Sequence, residues 1–393
     1  MSKSNQSTSS ANPRSRRAEQ GQFAWLRDSA LVSLCLGSVA IVVLGGLLQI
    51  TFGSYSMPLA RAWHAVVSPD VLFDARWLLK FFLGEPLMRG VTGFTGELPE
   101  LATGTLIVWD MRLPRVLVAV FVGMNLAVSG AIFQAVTRNE LASPFILGVS
   151  SGAGLMILLS LVVFSSLSAL LPLVAALGGA TAFLVVYAIA WKHGTSPVRL
   201  VLAGVIVSTV FQSLQTAMFF FASDLGVVQT AIAWTTGSLT GVGWEQVRMI
   251  LPWTVVAMLL ATLSSRQLDV LLLGEQTAKS LGVSVEKVRF ALSGVAVLAA
   301  AASIAVAGIV SFVGLIVPHL VRNVVGSSYK KLIVGCLFVG PALMVGADLG
   351  ARLGLIAITG ASSGQMPVGI VTGLIGGPYF LYLMRKKQEL GEL

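Results

Sequence analysis

The sequence predicts an all-α membrane protein of about ten transmembrane helices, arranged as two inverted five-helix halves. Three observations lead there: the composition, a succession of apolar segments, and an internal echo between the halves. Of 393 residues, 55% are hydrophobic and only 11% charged, with a mean hydropathy of +0.87. Soluble domains carry roughly 25% charged residues, so the chain belongs to the membrane class. The apolar segments lie near 30–52, 114–136, 146–164, 169–190, 199–222, 249–264, 289–309, 311–322, 332–350 and 367–384. Most approach the length of about 20 residues that a helix needs to cross roughly 30 Å of hydrocarbon. Those at 249–264 and 311–322 are short, so their crossings are expected to be tilted, partial or buried.

Residues 1–29 are rich in Ser, Asn and Arg without an apolar pattern, which predicts a disordered basic tail. Arg16 and Arg17 precede an apolar run that is too long for a signal-peptide core and lacks an A-x-A site. Residues 30–390 then read as one transmembrane domain. With the N-terminus cytoplasmic and ten crossings, 18 of the 26 Lys and Arg fall on the cytoplasmic side and 8 on the other. This is the positive-inside asymmetry, and it predicts both termini in the cytoplasm. The net charge of +9 is therefore topological and gives no nucleic-acid patch. Between the first two segments lies the long periplasmic stretch 53–110. Its "VLFDARWLLKFFLGEPLMRG" has helical spacing suited to the outer interface, with a short re-entrant segment as the rival reading.

The echo joins "LAVSGAIFQAV" (126–136) to "IAVAGIVSFVG" (304–314), aligning Ala127 with Ala305, Val128 with Val306 and Gly130 with Gly308. Five spans per half put the second copy upside down in the membrane. Inverted repeats of this kind mark transporters and place the pathway at their interface.

Catalytic and coupling chemistry is not evident. Asp348 is the one acidic residue placed inside a predicted span; ion-coupled transporters keep sets of such groups for function. "GEQTAKS" resembles a phosphate loop only loosely, since Ala278 stands where the second glycine must be. His64, His193 and His319 are scattered, and Cys35 and Cys336 fall inside predicted spans as small apolar fillers, so neither set offers a metal site. The energy for transport is thus expected from another subunit.

Residues 265–288 break the greasy pattern between the sixth and seventh spans. "LDVLLLGEQTAKSL" predicts a short helix with Leu271, Ala278 and Leu281 along one face. Gly282 ends it, and Ser284 is placed to cap a second helix containing Glu286 and Lys287. A solvated loop is the plainer alternative.

"LGEQTAKSLGVSVEKVR" resembles the coupling-helix segment of permeases in ABC importers for iron–siderophores, haem and cobalamin, the FecCD-type family. The resemblance covers residues 105–385. It includes "MRLPRVLVAVFVGMNLAVSGAIFQAVTRNELASPFILGVSSGAG", "RLVLAGV", "AGIVSFVGLIVPHLVR", "GADLGARL" and "PVGIVTGLIGGPYFLYLM" in the same order. It implies the type II ABC importer permease fold, in a bacterial inner (cytoplasmic) membrane. The implied partners are a second permease copy or homologue, two cytoplasmic ATPase subunits and a periplasmic binding protein. No cofactor is implied in this chain, because ATP and Mg belong to the ATPase. The implied cargo is an iron–siderophore complex, with haem or cobalamin as alternatives and an ion-coupled secondary transporter as a different class.

The same resemblance suggests roles for particular residues. Arg112, Arg115 and Arg352 would meet carboxylates of the binding protein, against the plainer role of headgroup anchors. Asn139 and Leu141 would narrow a cytoplasmic gate, although Glu140 stands where the family usually has proline, whose ring fixes φ. Gly274, Glu275, Leu281, Gly282 and Val283 would receive the ATPase stroke. Pro318, His319 and Arg322 would lie at the cytoplasmic end of the eighth span. Gly148, Gly152 and Gly154 suit close helix packing, and Gln365 replaces a glutamate usual in the family.

Overall fold

A computed structural model describes residues 25, 28–51, 55, 57–192, 194–222, 224–359 and 365–389. The expected tail lies outside the described residues apart from Trp25, Asp28 and Ser29, and so does His193. Every regular element among the described residues is helical. Helix α1 is Ser29–Thr51. The long connection forms α2 (Leu59–Val66), α3 (Pro69–Leu72), α4 (Ala75–Leu83) and α5 (Glu85–Thr92). Then follow α6 (Thr103–Thr137), α7 (Val149–Val162), α8 (Leu171–Ala190), α9 (Pro197–Phe219), α10 (Leu225–Thr236) and α11 (Trp244–Leu263). The chain continues with α12 (Ser265–Leu272), α13 (Glu275–Ser280), α14 (Val285–Ala307), α15 (Val313–Val325), α16 (Tyr329–Thr359) and α17 (Val368–Glu389).

Eight of these helices are long and apolar enough to cross a membrane, and α7 and α15 are shorter apolar helices. Together they fall on the ten apolar segments. Which segments are short differs from expectation. The sixth extends to 20 residues because Trp244–Arg248 continue it, whereas the third shrinks to the 14 residues of α7. Gly148, at φ 83°, starts α7 late, and a 3-10 turn at Ser165–Leu170 follows it.

Helix α6 is the axis. It is the most buried of the long spans and packs on α16, α14, α15 and α11. Lipid is as apolar as leucine, so burial alone gives helices little reason to associate, and close backbone approach must supply the attraction. Glycines permit it. A Cβ on Gly130 would overlap the Gly314 carbonyl of α15, and one on Gly123 would overlap the Gly340 carbonyl of α16. Gly152 crosses Gly178 in the same manner, in line with the packing role expected for it. Buried polar bonds add to this axis: Asn125 Nδ2 donates to Thr254 Oγ1 at 2.8 Å and Ser129 Oγ to the Ala296 carbonyl at 2.7 Å.

The first echo segment lies within α6 and the second spans the junction of α14 and α15. Their backbones differ. Residues 126–136 are uninterrupted helix, whereas 304–314 breaks between α14 and α15 with Gly308 at φ 68° and Phe312 at φ 66°. The break is held by neighbouring turns: Ser238 N donates to Ala307 O at 2.8 Å and Ile309 N to Trp234 O at 2.9 Å. Helix α10 was not anticipated. Its sequence, "LGVVQTAIAWTT", is too short and polar to register as a span.

Two ends are distinguishable. At one, Lys331 pairs with Asp28, holding that carboxyl below the usual carboxylate range, and Asp269 Oδ1 accepts from Tyr329 N at 2.8 Å. At the other, the long connection folds into α2–α5. An aromatic cluster fixes it there: Phe81 stacks on Trp77, Trp109 and Trp244, and Trp244 Nε1 donates to the Trp109 carbonyl at 2.6 Å. Arg248 Nη1 donates to the Phe81 carbonyl at 2.8 Å.

The glycine crossing makes a prediction. Gly130→Ala forces α6 and α15 apart, and overpacking of this kind costs about 1–3 kcal/mol. Gly346→Ala on α16, where nothing lies within 4 Å, serves as the control. Melting of the detergent-solubilised protein, followed by size-exclusion chromatography, should be lowered by the first change only.

Candidate functional site

At the basic end, three segments named from the sequence come together. Helix α6 ends at Arg138 in the left-handed conformation, and Asn139 Oδ1 accepts from Leu141 N at 2.9 Å to close the following turn. Glu140 is tethered where the family ring would be: Arg322 of α15 lies 3.5 Å from it and also donates to Gln134 Oε1 at 3.1 Å. Pro318 is buried inside α15, and His319 sits mid-helix against the edge of Tyr379 on α17, with ring centroids 6.0 Å apart. Only Arg322 of the three is at the helix end, which corrects the expectation for Pro318 and His319.

The coupling segment also differs from its expected form. The single helix expected over 268–281 is broken at Gly274, φ 102°, into α12 and α13. The second helix expected after Ser284 is the first turn of α14 itself. Leu271 and Ala278 are buried, but Leu281 is 60% exposed and so leaves the face proposed for it. The physical reason is where α13 stops: it ends at Ser280, Leu281 is its C-cap residue and Gly282 follows at φ 78°, so the helical face that buries Ala278 does not extend to Leu281. Leu273, Leu281 and Gly282 remain uncovered, so a charged and apolar knob does project from the bundle.

At the long-loop end, the three arginines are internal. Arg115 Nη2 donates to Asp348 Oδ1 at 2.7 Å and Nε to Oδ2 at 3.0 Å, with side-chain exposures of 6% and 0%. Its Nη1 also reaches Gln365 Oε1, which accepts from Thr240 Oγ1 at 3.1 Å. Arg352 lies 3.8 Å from Asp348 and donates to the Gln49 carbonyl at 3.3 Å. Arg112 donates to the carbonyls of Ile50 and Tyr55, which tie α1 to α6. A wide π-helical turn at Val108–Arg112 sets that guanidinium toward α1. Such turns recur at functional sites. The guanidinium forks of all three are engaged with carboxylate or carbonyl oxygens inside the protein. All three do line a cavity of about 350 Å³ with Tyr55, Asp110 and Gln365. Asp348 is the only fully buried acidic residue among those described, and it serves as a cross-link.

A further feature escaped the sequence reading. On α9, Thr209, Gln212, Ser213 and Thr216 are exposed and share one face by their i, i+3, i+4, i+7 spacing. The hydroxyls of Thr209, Ser213 and Thr216 bond back to carbonyls four residues earlier, while Gln212 exposes an amide on the same side. An exposed amide in hydrocarbon costs several kcal/mol by order of magnitude, so this face is built for water or protein. The signal was present as a polar period inside an apolar run.

The buried pair at the long-loop end can be tested. Asp348→Leu leaves Arg115 buried without its carboxylate, and breaking a buried pair costs about 3–5 kcal/mol. Replacing both, Arg115→Met with Asp348→Leu, should recover most of the folded yield because apolar replacement of such pairs is often neutral. Folded monodisperse protein per cell is the measurement.

Comparison with known proteins places this geometry. The FecCD transport family matches residues 41–386. The chain is 41% identical over 285 residues to the Fe(3+)-citrate import system permease protein YfmD of Bacillus subtilis, covering 72% of this chain and 83% of the relative. It is 38% identical over 327 residues to the cobalamin import system permease protein BtuC of Halobacterium salinarum, covering 83% of each. The hemin transport system permease protein HmuU of Yersinia pestis is 36% identical over 289 residues, covering 72% of this chain and 84% of that one. Among solved structures, an inward-facing conformation of a putative metal-chelate type ABC transporter superposes with a TM-score of 0.72 at 26% identity, over 90% of this chain and 99% of that one.

Proposed function

Because the chain belongs to the FecCD transport family, we propose that it carries an iron–siderophore complex across a bacterial inner membrane, received from a periplasmic binding protein and driven by separate ATPase subunits. The chain is a multi-pass membrane protein and a transport permease of the importer class. Iron–siderophore is put first, in line with an Fe(3+)-citrate permease at 41% identity and an iron(3+)-hydroxamate permease at 36%, and the cobalamin and hemin permeases at 38% and 36% keep those cargoes as the alternatives. The catalytic work of ATP hydrolysis is assigned to the partner.

The observation that carries the reading into this molecule is the polar face of α9. One chain leaves Thr209, Gln212, Ser213 and Thr216 uncovered, and a second permease copy facing the same stripe would enclose a wet pathway between them. The exposed knob of α12–α13 supports attachment of an ATPase at the basic end, which becomes the cytoplasmic end with both termini there. The turn 138–141 and Arg322 stand beside that exit, and we assign Asn139 and Leu141 to its narrowing.

Docking of the binding protein is placed at the long-loop end, with a changed role for the arginines. Arg112, Arg115 and Arg352 brace the mouth from within, and carboxylates arriving from a partner would compete with Asp348 and two backbone carbonyls for them. Steering of that encounter by surface charge remains salt-dependent.

Three experiments test the reading. Proteoliposomes holding the permease, its ATPase and its binding protein should accumulate radio-iron chelate only with internal ATP; uptake driven by an ion gradient without the ATPase would favour a secondary transporter. Replacing 275–281 with a Gly/Ser segment should abolish ATPase pull-down while leaving the permease inserted. Native mass spectrometry of the active complex should report two permease chains, and activity with a single copy would remove the shared-pathway arrangement.

A further inference from the structure

One buried guanidinium joins the coupling segment to the polar helix. Arg289, on the second turn of α14, has a side chain 2% exposed. Its Nη2 donates to Oε1 of Glu275, the first residue of α13, at 2.6 Å. Its Nη1 donates to the Thr195 carbonyl at 2.7 Å and lies 3.3 Å from Thr195 Oγ1. Thr195 belongs to the turn after α8, and Pro197 opens α9 two residues later.

The two ends of this bridge are unequal. Thr195 is anchored through Glu286, which accepts from Thr195 N at 2.9 Å, from Thr195 Oγ1 at 2.5 Å and from the Tyr187 hydroxyl at 2.6 Å. Glu286 also lies 3.6 Å from Arg289. Arg199 in the first turn of α9 donates to the Gly194 carbonyl at 2.8 Å, so the turn and α9 move as one piece. Glu275, by contrast, is 36% exposed on a six-residue helix. Between α13 and the turn opens a cleft of about 430 Å³ lined by Trp191, Ser196, Arg199 and Lys279. The planar fork of arginine, pre-organised for two acceptors at once, spans what side-chain packing leaves open.

We propose that Arg289 is the positioning residue that carries displacement of α13 to the 194–196 segment and thereby to α9. This rests on the importer-permease reading. A load on α13 acts on the Glu275 end; the Thr195 end holds because Glu286 of α14 accepts two hydrogen bonds from Thr195 and a third from Tyr187 of α8. The polar face of α9 then shifts with the coupling segment.

Arg289→Lys is the test, because a lysine keeps the buried charge and loses the fork. The complete complex is compared in nanodiscs and proteoliposomes, in a Cys35→Ser, Cys336→Ser background with Val198→Cys as an alkylation reporter at the start of α9. In the unsubstituted complex ATP changes the alkylation rate at position 198. In Arg289→Lys, ATPase association and basal hydrolysis persist, uptake falls about tenfold, within the range by which coupling residues act, and the ATP-dependent change in alkylation disappears. Uptake at the parent rate overturns the proposal. So does lost uptake with the alkylation change intact, or loss of ATPase association by a correctly inserted variant, since Arg289 would then only shape the knob. If Arg289→Lys fails to insert, Thr195→Val decides: it removes the hydroxyl that binds Glu286, and the same split at smaller amplitude is expected, with parent behaviour overturning the proposal. A parent complex without ATP-driven uptake would instead remove the functional reading on which the bridge rests.

Discussion

The bundle depends on how closely other helices can approach α6. In hydrocarbon, apolar side chains lose little by facing lipid, so the spans are held by backbone proximity and by a few polar bonds. Gly130 against Gly314 and Gly123 against Gly340 bring α15 and α16 to contact distance. Asn125, Ser129 and Arg115 then add hydrogen bonds from the same helix to α11, α14 and α16. Every feature assigned a role is placed relative to this axis. Its first turns carry Arg112 and Arg115, and its last residue leads into the 138–141 turn.

Rigidity along α6 contrasts with thin coverage at the periphery. Helices α1, α9, α11 and α17 are covered over much less of their length than α6, α14 and α16. An apolar uncovered face is satisfied by lipid. The Thr209–Thr216 face of α9 is not, and this asymmetry is what supports the proposed second copy and wet pathway. The backbone discontinuities fall at the long-loop end, at Gly237, at Gly308–Phe312 and before α17, where each break is closed by bonds from the next: Gly369 N donates to Gly237 O at 3.1 Å. Irregular backbone at such a place is tolerated when other protein supplies its hydrogen bonds.

Charge in this protein is used mainly for joining elements. Arg115 with Asp348 and Arg322 with Glu140 connect segments distant in sequence, and Arg289 joins α13 to α14 through Glu275. Glu140 shows how a departure from the usual family residue is accommodated. A proline would hold the turn through its own φ, whereas here Arg322 on α15 restrains it from outside, so the 138–141 turn and α15 become coupled.

The ten apolar segments were readable directly, and eight of them form helices that meet by themselves the length and hydrophobicity a bilayer imposes. The family was equally readable in stretches such as "AGIVSFVGLIVPHLVR", which carry the glycines and the break that α14 and α15 need. The polar face of α9 was legible too, as Thr209, Gln212, Ser213 and Thr216 at helical spacing, and was passed over within an apolar run. What only the tertiary structure decided was partnership. Arg112 and Arg115 sit at a helix start in sequence, a position equally suited to a headgroup, a docking protein or a buried acid. Asp348 is 233 residues from Arg115, and nothing local records that α16 brings it there. The same holds for Arg289 and Thr195, and for Leu281, left outside its expected face because α13 ends at Ser280. A residue's own helix sets the face on which it lies; which group meets that face depends on how the helices cross, and the crossings are set by the glycines of α6.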